Sequence, residues 1–451
     1  MSEQYSNLDN RYNGTTNPRR HRMRWLLGTL ALIAAVVVAL AGVAVIAGKI
    51  LVSRYAFESL PVSEEVAVED ETQVEEEEAP PEQPVVDVAP EPVHVRLMSI
   101  GDILMHMGVV ESGYLEDGLN YDHLFAHIAD DVAEADIAIL NQETILGGDA
   151  FPFSGYPTFN SPQQVGDAEV AVGFDVVLKA TNHTLDMGYQ GVREELAYWR
   201  DQHPEMAVIG MADPDGEDHV CPAGSTSPAG AYVYEKDGLR VALLNYTYWL
   251  NGNVDVSYDE NVVSCLTEEG VRSDIAWARE NADFVVVFPH WGNEYETWPS
   301  EQERYWAGIF QEEGVDVVIG GHPHVIQPVE VWGEGDDRML VVWSVGNFVS
   351  TQVNASNMVG GMVKVDFVKD ANGTHVGEWS FTPTITQREG YTTNMSAYKI
   401  HDYTDELAAQ STIGATDPGA GGSVGWYTDY CAGVLGDAFD WDTLTVHGDL
   451  S

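Results

Sequence analysis

The segments DFVVVFPHWGNE (283–294) and VDVVIGGHPHV (315–325) decide the fold. Each is a short, nearly continuous apolar run that stops abruptly at histidine, glycine, asparagine or glutamate. Valine-rich runs of this length read as strands buried on both faces. The same texture recurs at VHVRLMSI (93–100), ADIAIL (135–140), FDVVLKA (174–180), RVALLNY (240–246) and MLVVWSV (339–345). Helix-like stretches lie between several of them, at YDHLFAHIADDVAEA (121–135) and GVREELAYWRDQ (191–202). Alternation of strand and helix predicts an α/β architecture.

The residues that close each run carry the functional signal. Gly101-Asp102 and His106 follow the first, Asn141-Gln142-Glu143 the second, and Asn182-His183 with Asp186 the third. His290 and Glu294 follow the run at 283–288, His322-Pro323-His324 the run at 315–320, and Asn347 the run at 339–345. Ligands of α/β sheets bind at the carboxyl ends of the strands, so parallel strands would gather these groups on one rim. Taken singly, a Gly-Asp pair is a turn and an Asn-His pair is a loop. Taken together, carboxylate, amide oxygen and imidazole suit a divalent metal such as manganese, zinc or iron. No cysteine is among them, which excludes a structural zinc–thiolate site. His123 and His127, four apart in the helix-like 121–135, read as a solvated pair beside Asp122 rather than as a further site.

The chain of 451 residues has 21 Lys plus Arg against 72 Asp plus Glu, a net charge of −51. The charge is unevenly spread: residues 1–54 carry +5, residues 55–92 hold thirteen acids and no base, and residues 93–451 carry −43. A domain of that sign repels nucleic-acid phosphates and anionic headgroups, so both partners are excluded for it. Three cysteines exclude a disulfide scaffold. Outside the cell Cys221 and Cys265 could bridge and leave Cys431 over, an odd count that leaves the pairing open.

Trp25 to Gly48 is an uncharged stretch long enough to cross a bilayer and too long for a cleaved signal peptide. Five arginines precede it, whereas only Lys49 and Arg54 follow closely. The positive-inside rule makes residues 1–24 a cytoplasmic arm, residues 25–48 an uncleaved anchor, and the remainder extracellular. Residues 49–92 are expected to form an extended acidic stalk, because like charges repel and prolines stiffen. Residues 93–385 are expected to form the main domain. Residues 386–451 form a C-terminal extension that packs on it or faces a partner.

The ordered set GDILMH (101–106), NQET (141–144), NHTLDMG (182–188), HWGNEY (290–295), GGHPHV (320–325) and SVGNF (344–348) resembles the bacterial capsule-synthesis CapA family, the poly-γ-glutamate synthesis proteins. The resemblance spans about residues 93–385. It implies a metallo-dependent phosphatase-like fold, a four-layer sandwich with two mixed sheets between helices, and a role in making or exporting poly-γ-glutamate. It further implies two divalent ions, one on Asp102, His106 and His324, the other on Asn182, His290 and His322, with Glu143 bridging. His183 would then be left to meet the substrate. Asp186, Glu294 and Asn347 would orient ligands or simply cap loops. Thr181, Lys179 and Gln142 depart from the family pattern, and Lys179 is expected to face away from the rim.

Two functions fit these residues. One is a metal-dependent hydrolase acting on a cell-envelope polymer at the outer membrane face. The other is a non-catalytic accessory that holds membrane synthase subunits and guides polymer out. Poly-γ-glutamate is a polyanion that a domain near −43 should repel, although screening confines the repulsion to about 8 Å at physiological salt.

Overall fold

The computed structural model of the chain describes residues 91–214, 231–251, 262–390, 392–413, 417 and 419–451. The basic arm, the expected span at 25–48, nearly all of the acidic stretch, and Cys221 lie outside these residues. Among the described residues no helix is long and apolar enough to cross a membrane.

The chain runs out through β1 (Val93–Ile103), a small hairpin β2 (Tyr114–Leu115) and β3 (Gly118–Leu119), then β4 (Ile137–Gln142), β5 (Val176–Leu178) and β6 (Ala207–Ile209). A second group follows: β7 (Ala231–Lys236), β8 (Leu239–Thr247), β9 (Phe284–His290), β10 (Val317–Ile319), β11 (Val329–Trp332) and β12 (Met339–Val342). The chain then returns through β13 (Asn347–Val349), β14 (Val359–Asp370), β15 (Gly373–Glu389), β16 (Thr393–Lys399) and β17 (Val446–Asp449). The first large sheet has the order β16-β15-β14-β1-β4-β5-β6, with β13 added to β1 and β17 to β15. The second has the order β11-β12-β10-β9-β8-β7. Strands β1, β4, β5 and β6 run parallel, as do β8, β9, β10 and β12, while β14, β15 and β16 of the first sheet and both edges of the second, β11 and β7, are antiparallel to their neighbours.

Period-two alternation explains why the strand sequences are apolar throughout. Phe284, Val286 and Phe288 of β9 face the first sheet, in one core with Val95, Leu97, Ile137, Ile139, Val176 and Leu178. Val285 and Val287 face outward onto the helices Glu268–Asn281 and Glu301–Glu312. The outer face of the first sheet is covered in the same way by Val192, Leu196 and Trp199 of the helix Gly188–Gln202. Helix, sheet, sheet and helix are therefore stacked in four layers around three apolar cores.

Two expectations need correction. The stretch 121–135 is not one helix: a single-turn helix covers Asp122–Leu124 and an α-helix covers Ala129–Glu134. The break falls where Phe125 and Ile128, both fully buried, turn into the core. His123 then sits beside the Ser112 hydroxyl, while His127 stacks on Tyr398, so the two share no site. The boundary expected between 385 and 386 falls inside β15. The C-terminal extension belongs to the domain, since β16 and β17 both pair with β15, and Tyr427 and Cys431 enter the inter-sheet core.

Asp131 ties the Ala129–Glu134 helix to the antiparallel half of the first sheet, accepting from Lys364 at 2.8 Å and Lys399 at 2.7 Å. Burial alone would raise its carboxyl, but the two lysines outweigh that and hold it below the ordinary value. A depressed carboxyl contributes stability that is present above its unfolded pKa of about 3.9 and is lost as pH falls through the folded value. Asp131→Asn is expected to cost about 1–2 kcal/mol at pH 7, discounted for the partial exposure of Lys364. The gap between variant and wild type should narrow in thermal melts as pH falls below the ordinary carboxyl value of about 3.9. A gap that persists unchanged in acid would contradict this assignment.

Candidate metal centre

A bulge aims the first carboxylate. Ser99 of β1 is level with Ile139 of β4, but the next partners are Asp102 and Asn141, so β1 carries one extra residue there. The insertion reverses the alternation and turns Asp102 onto the same inner face as Asn141. Gly101 permits the bulge, because a Cβ there would lie 2.1 Å from the Gly346 carbonyl oxygen. Gly321 has a matching role across the crevice: its Cβ would meet Asp102 Oδ1 at 2.8 Å.

Asp102 is fully buried. Its Oδ1 accepts from Asn141 Nδ2 at 2.7 Å, and its Oδ2 accepts from the His322 backbone N–H at 3.2 Å. His324 Nδ1 lies 3.2 Å from the same Oδ2 and 3.0 Å from Asn347 Oδ1. Those two oxygens accept from Nδ1–H, and Nε2 on the other side of the ring lies 3.8 Å from Glu143 Oε1. His290 ends β9 on the inner face, its Nε2 2.8 Å from Asn182 Oδ1 and 3.7 Å from Glu143 Oε1. The His290 and His322 rings lie 4.9 Å apart, and the His322 and His324 rings 5.8 Å apart. His322 and His324 both adopt positive φ, 95° and 57°. Non-glycine residues enter that region at a cost of about 1–3 kcal/mol each, held here by the His322 N–H on Asp102 and by Tyr295 N–H and Asn357 Nδ2 on the carbonyls of Pro323 and His324.

Glu143 occupies the middle of the cluster. It is fully buried, and neither carboxylate oxygen has a hydrogen-bond partner; His322 Nδ1 is likewise unpartnered. Ligand atoms of Glu143, His322 and His324 lie within 4.8 Å of one another, close enough for one metal ion. Burial pushes the Glu143 carboxyl well above its ordinary range, against the pull of His324. Burial likewise drives His290 well down and His322 to about 3, with neighbouring imidazoles adding to the effect, so both rings are neutral at pH 7. His324 is the exception. Burial opposes its charge, but Glu143 and Asp102 push it up to about 9.

His183 stands beside this cluster. Its Nδ1 is 2.7 Å from Asp186 Oδ2, which also accepts the Phe159 N–H, and Asn251 Nδ2 lies 3.3 Å from its Nε2. His106 lies on the far side of Phe159, whose ring packs edge-on against both imidazoles. Its own ring nitrogen takes the Thr351 N–H, and burial together with His324 lowers it to about 4. Asn347 is buried and touches His324, and Asp186 touches His183. Glu294 is exposed and reaches the cluster only through its charge. Lys179 faces away, as expected, because alternation along β5 sends it to the helical side.

Three asparagines here have no role assigned from the sequence, although Asn141 stands in one of the closing clusters. Asn141 joins Asp102 to His290, Asn251 meets His183, and Asn245 spans the sheets by accepting the Lys179 and Ala180 N–H groups. Alternation along β4 was the available signal for the first, since Ile139, Asn141 and Glu143 share one face. The other two depend on how the sheets are stacked.

A two-sheet α/β sandwich with a buried carboxylate–imidazole cluster that could hold a metal ion is thus the class that fold and site define. The chain belongs to the bacterial capsule synthesis protein family PGA_cap, which matches residues 96–352. It is 28% identical over 213 residues to the PGA biosynthesis protein CapA of Bacillus subtilis (strain 168), covering 47% of this chain and 51% of that protein. It is 26% identical over 267 residues to the capsule biosynthesis protein CapA of Bacillus anthracis, covering 57% of this chain and 60% of that one. The chain thus matches about half to three fifths of the length of these curated relatives. Similar solved structures include the Haemophilus influenzae NAD nucleotidase NadN, with a TM-score of 0.40 and 12% identity over 65% of this chain and 56% of that one. A 5'-nucleotidase precursor from Thermus thermophilus has a TM-score of 0.39 and 16% identity over 64% and 54%.

Proposed function

We propose that this protein is a membrane-anchored, divalent-metal-dependent hydrolase that acts outside the cell on a cell-envelope polymer during capsule biosynthesis. One observation carries the reading: Glu143 is fully buried with both carboxyl oxygens unpartnered, beside the neutral rings of His290 and His322, the latter with its Nδ1 also unpartnered. An unpaired buried carboxylate is costly, and a divalent cation supplies the missing charge. The donors fit such an ion: oxygens of Asp102, Glu143 and Asn182, and imidazoles of His290, His322 and His324, with His106 at the edge. Bound there, a divalent metal supplies Lewis acidity and makes water a usable nucleophile near neutral pH.

The remaining chemistry belongs to the chain itself. Asp186 holds the Nδ1–H of His183 and stabilises the imidazolium once Nε2 takes or delivers a proton. Asn347 and Asp102 fix the His324 ring, and Asn141 fixes Asp102. The capsule assignment follows the names of the two relatives, and the anchor and orientation follow the arginine-flanked segment 25–48. Purified full-length chain loaded with Mn²⁺ should turn over one of three substrates: poly-γ-glutamate, peptidoglycan fragments or a phosphoester. Intact cells treated with a non-permeant protease should lose the domain. A metal-loaded chain that turns over none of the three would favour the accessory role, and full protection from protease would reject the orientation.

A further inference from the structure

We infer that Lys179, Thr181 and Glu195 form a brace that sets the direction of Glu143, making them positioning residues for the metal centre proposed above, on which this inference rests. Past Gln142 the chain leaves β4, and its buried carbonyls lose their sheet partners, so each needs another donor. Lys179 Nζ donates to the carbonyl of Gln142 at 2.8 Å and to that of Thr144 at 3.1 Å. The Thr181 hydroxyl donates to the carbonyl of Glu143 itself at 2.8 Å. Three consecutive carbonyls are therefore held by two side chains from the loop after β5.

Glu195, on the Gly188–Gln202 helix, completes the device. Its Oε1 lies 3.2 Å from Lys179 Nζ and takes the Trp199 indole N–H, while its Oε2 takes the Leu146 N–H at 2.9 Å. One ion pair thus grips the turn from both sides, the cation on residues 142 and 144 and the anion on residue 146. Both side chains are wholly buried. Glu169 also faces this pocket. Burial pushes it up to about 8 against the pull of Lys179.

The carboxyl end of Glu143 is free of hydrogen bonds. Because neither of its oxygens has a hydrogen-bond partner, no hydrogen bond aims the side chain from its tip. Its direction is set from the backbone, and the backbone is held by the brace. A buried ion pair is a poor source of net stability, and fixing one conformation is its better-attested use. Outer partners that orient metal ligands typically change affinity about 10–100-fold when removed.

The test measures Mn²⁺ binding by the full-length chain, with melting curves alongside. Lys179→Met alone would strand the Glu195 charge, so the principal variant is Lys179→Met with Glu195→Gln. It should bind Mn²⁺ about 10–100-fold more weakly than wild type. Adding Glu143→Gln should cause no further loss beyond that of Glu143→Gln alone, because brace and ligand act as one unit. Thr181→Val, which removes one hydroxyl and no charge, should bind several-fold more weakly and serves if the double variant fails to fold. Wild-type affinity in a folded double variant, or in Thr181→Val, overturns the brace while leaving the metal centre standing. Absence of Mn²⁺ binding by wild type overturns both. Additive losses in the triple variant reduce the brace to ordinary packing and reject the positioning role.

Discussion

Replacing His183 with alanine is expected to cut turnover roughly 10²–10⁴-fold while leaving metal content close to wild type. The geometry separates the two effects. His183 donates to Asp186 and meets Asn251, whereas the carboxylate at the centre of the cluster faces His290 and His324. An imidazole held by a carboxylate at one nitrogen is suited to exchanging a proton at the other. His322→Ala should show the opposite pattern, with depleted metal and lost turnover together, because one of its ring nitrogens lies within 4.8 Å of ligand atoms of Glu143 and His324. Both variants are to be assayed on the same verified substrate with metal content measured. Full activity in His183→Ala would remove that residue from the reaction.

Glu143→Gln is expected to change two quantities in opposite directions. Mn²⁺ affinity should fall by at least about tenfold, since an anionic oxygen becomes a neutral amide in the middle of the donor set. Thermal stability in the presence of chelator should stay level or rise, because the metal-free protein no longer holds an unsatisfied buried carboxyl. A purely structural glutamate would lose stability and leave affinity alone. Melting curves with and without Mn²⁺ distinguish the two: the variant should lose the metal-induced shift that wild type displays.

All seven apolar runs quoted from the sequence form strands, because each is buried on both faces and so carries an uninterrupted signal. Their closing residues were legible for the same reason. A parallel sheet delivers the carboxyl ends of its strands to one rim, and alternation alone turns His290 inward. What the sequence hid depends on register. The bulge at Gly101 reverses the alternation that would have sent Asp102 outward, and no local pattern announces it. Asn245 and Asn251 act across a gap between sheets, so their partners are decided only when the sheets stack. The broken helix at 121–135 shows a genuine helical period, with Tyr121, Leu124, Phe125 and Ile128 all buried. Periodicity locates the buried face but does not ensure that one continuous helix presents it.

The most direct test of the account is anomalous diffraction at the manganese edge from crystals of the chain grown with Mn²⁺. A peak is expected among Glu143, His322 and His324, with His290 and Asn182 turned towards it, and it should disappear in Glu143→Gln. Saturating Mn²⁺ with no peak at this cluster, or an ion held elsewhere while these side chains bond only to one another, would contradict it.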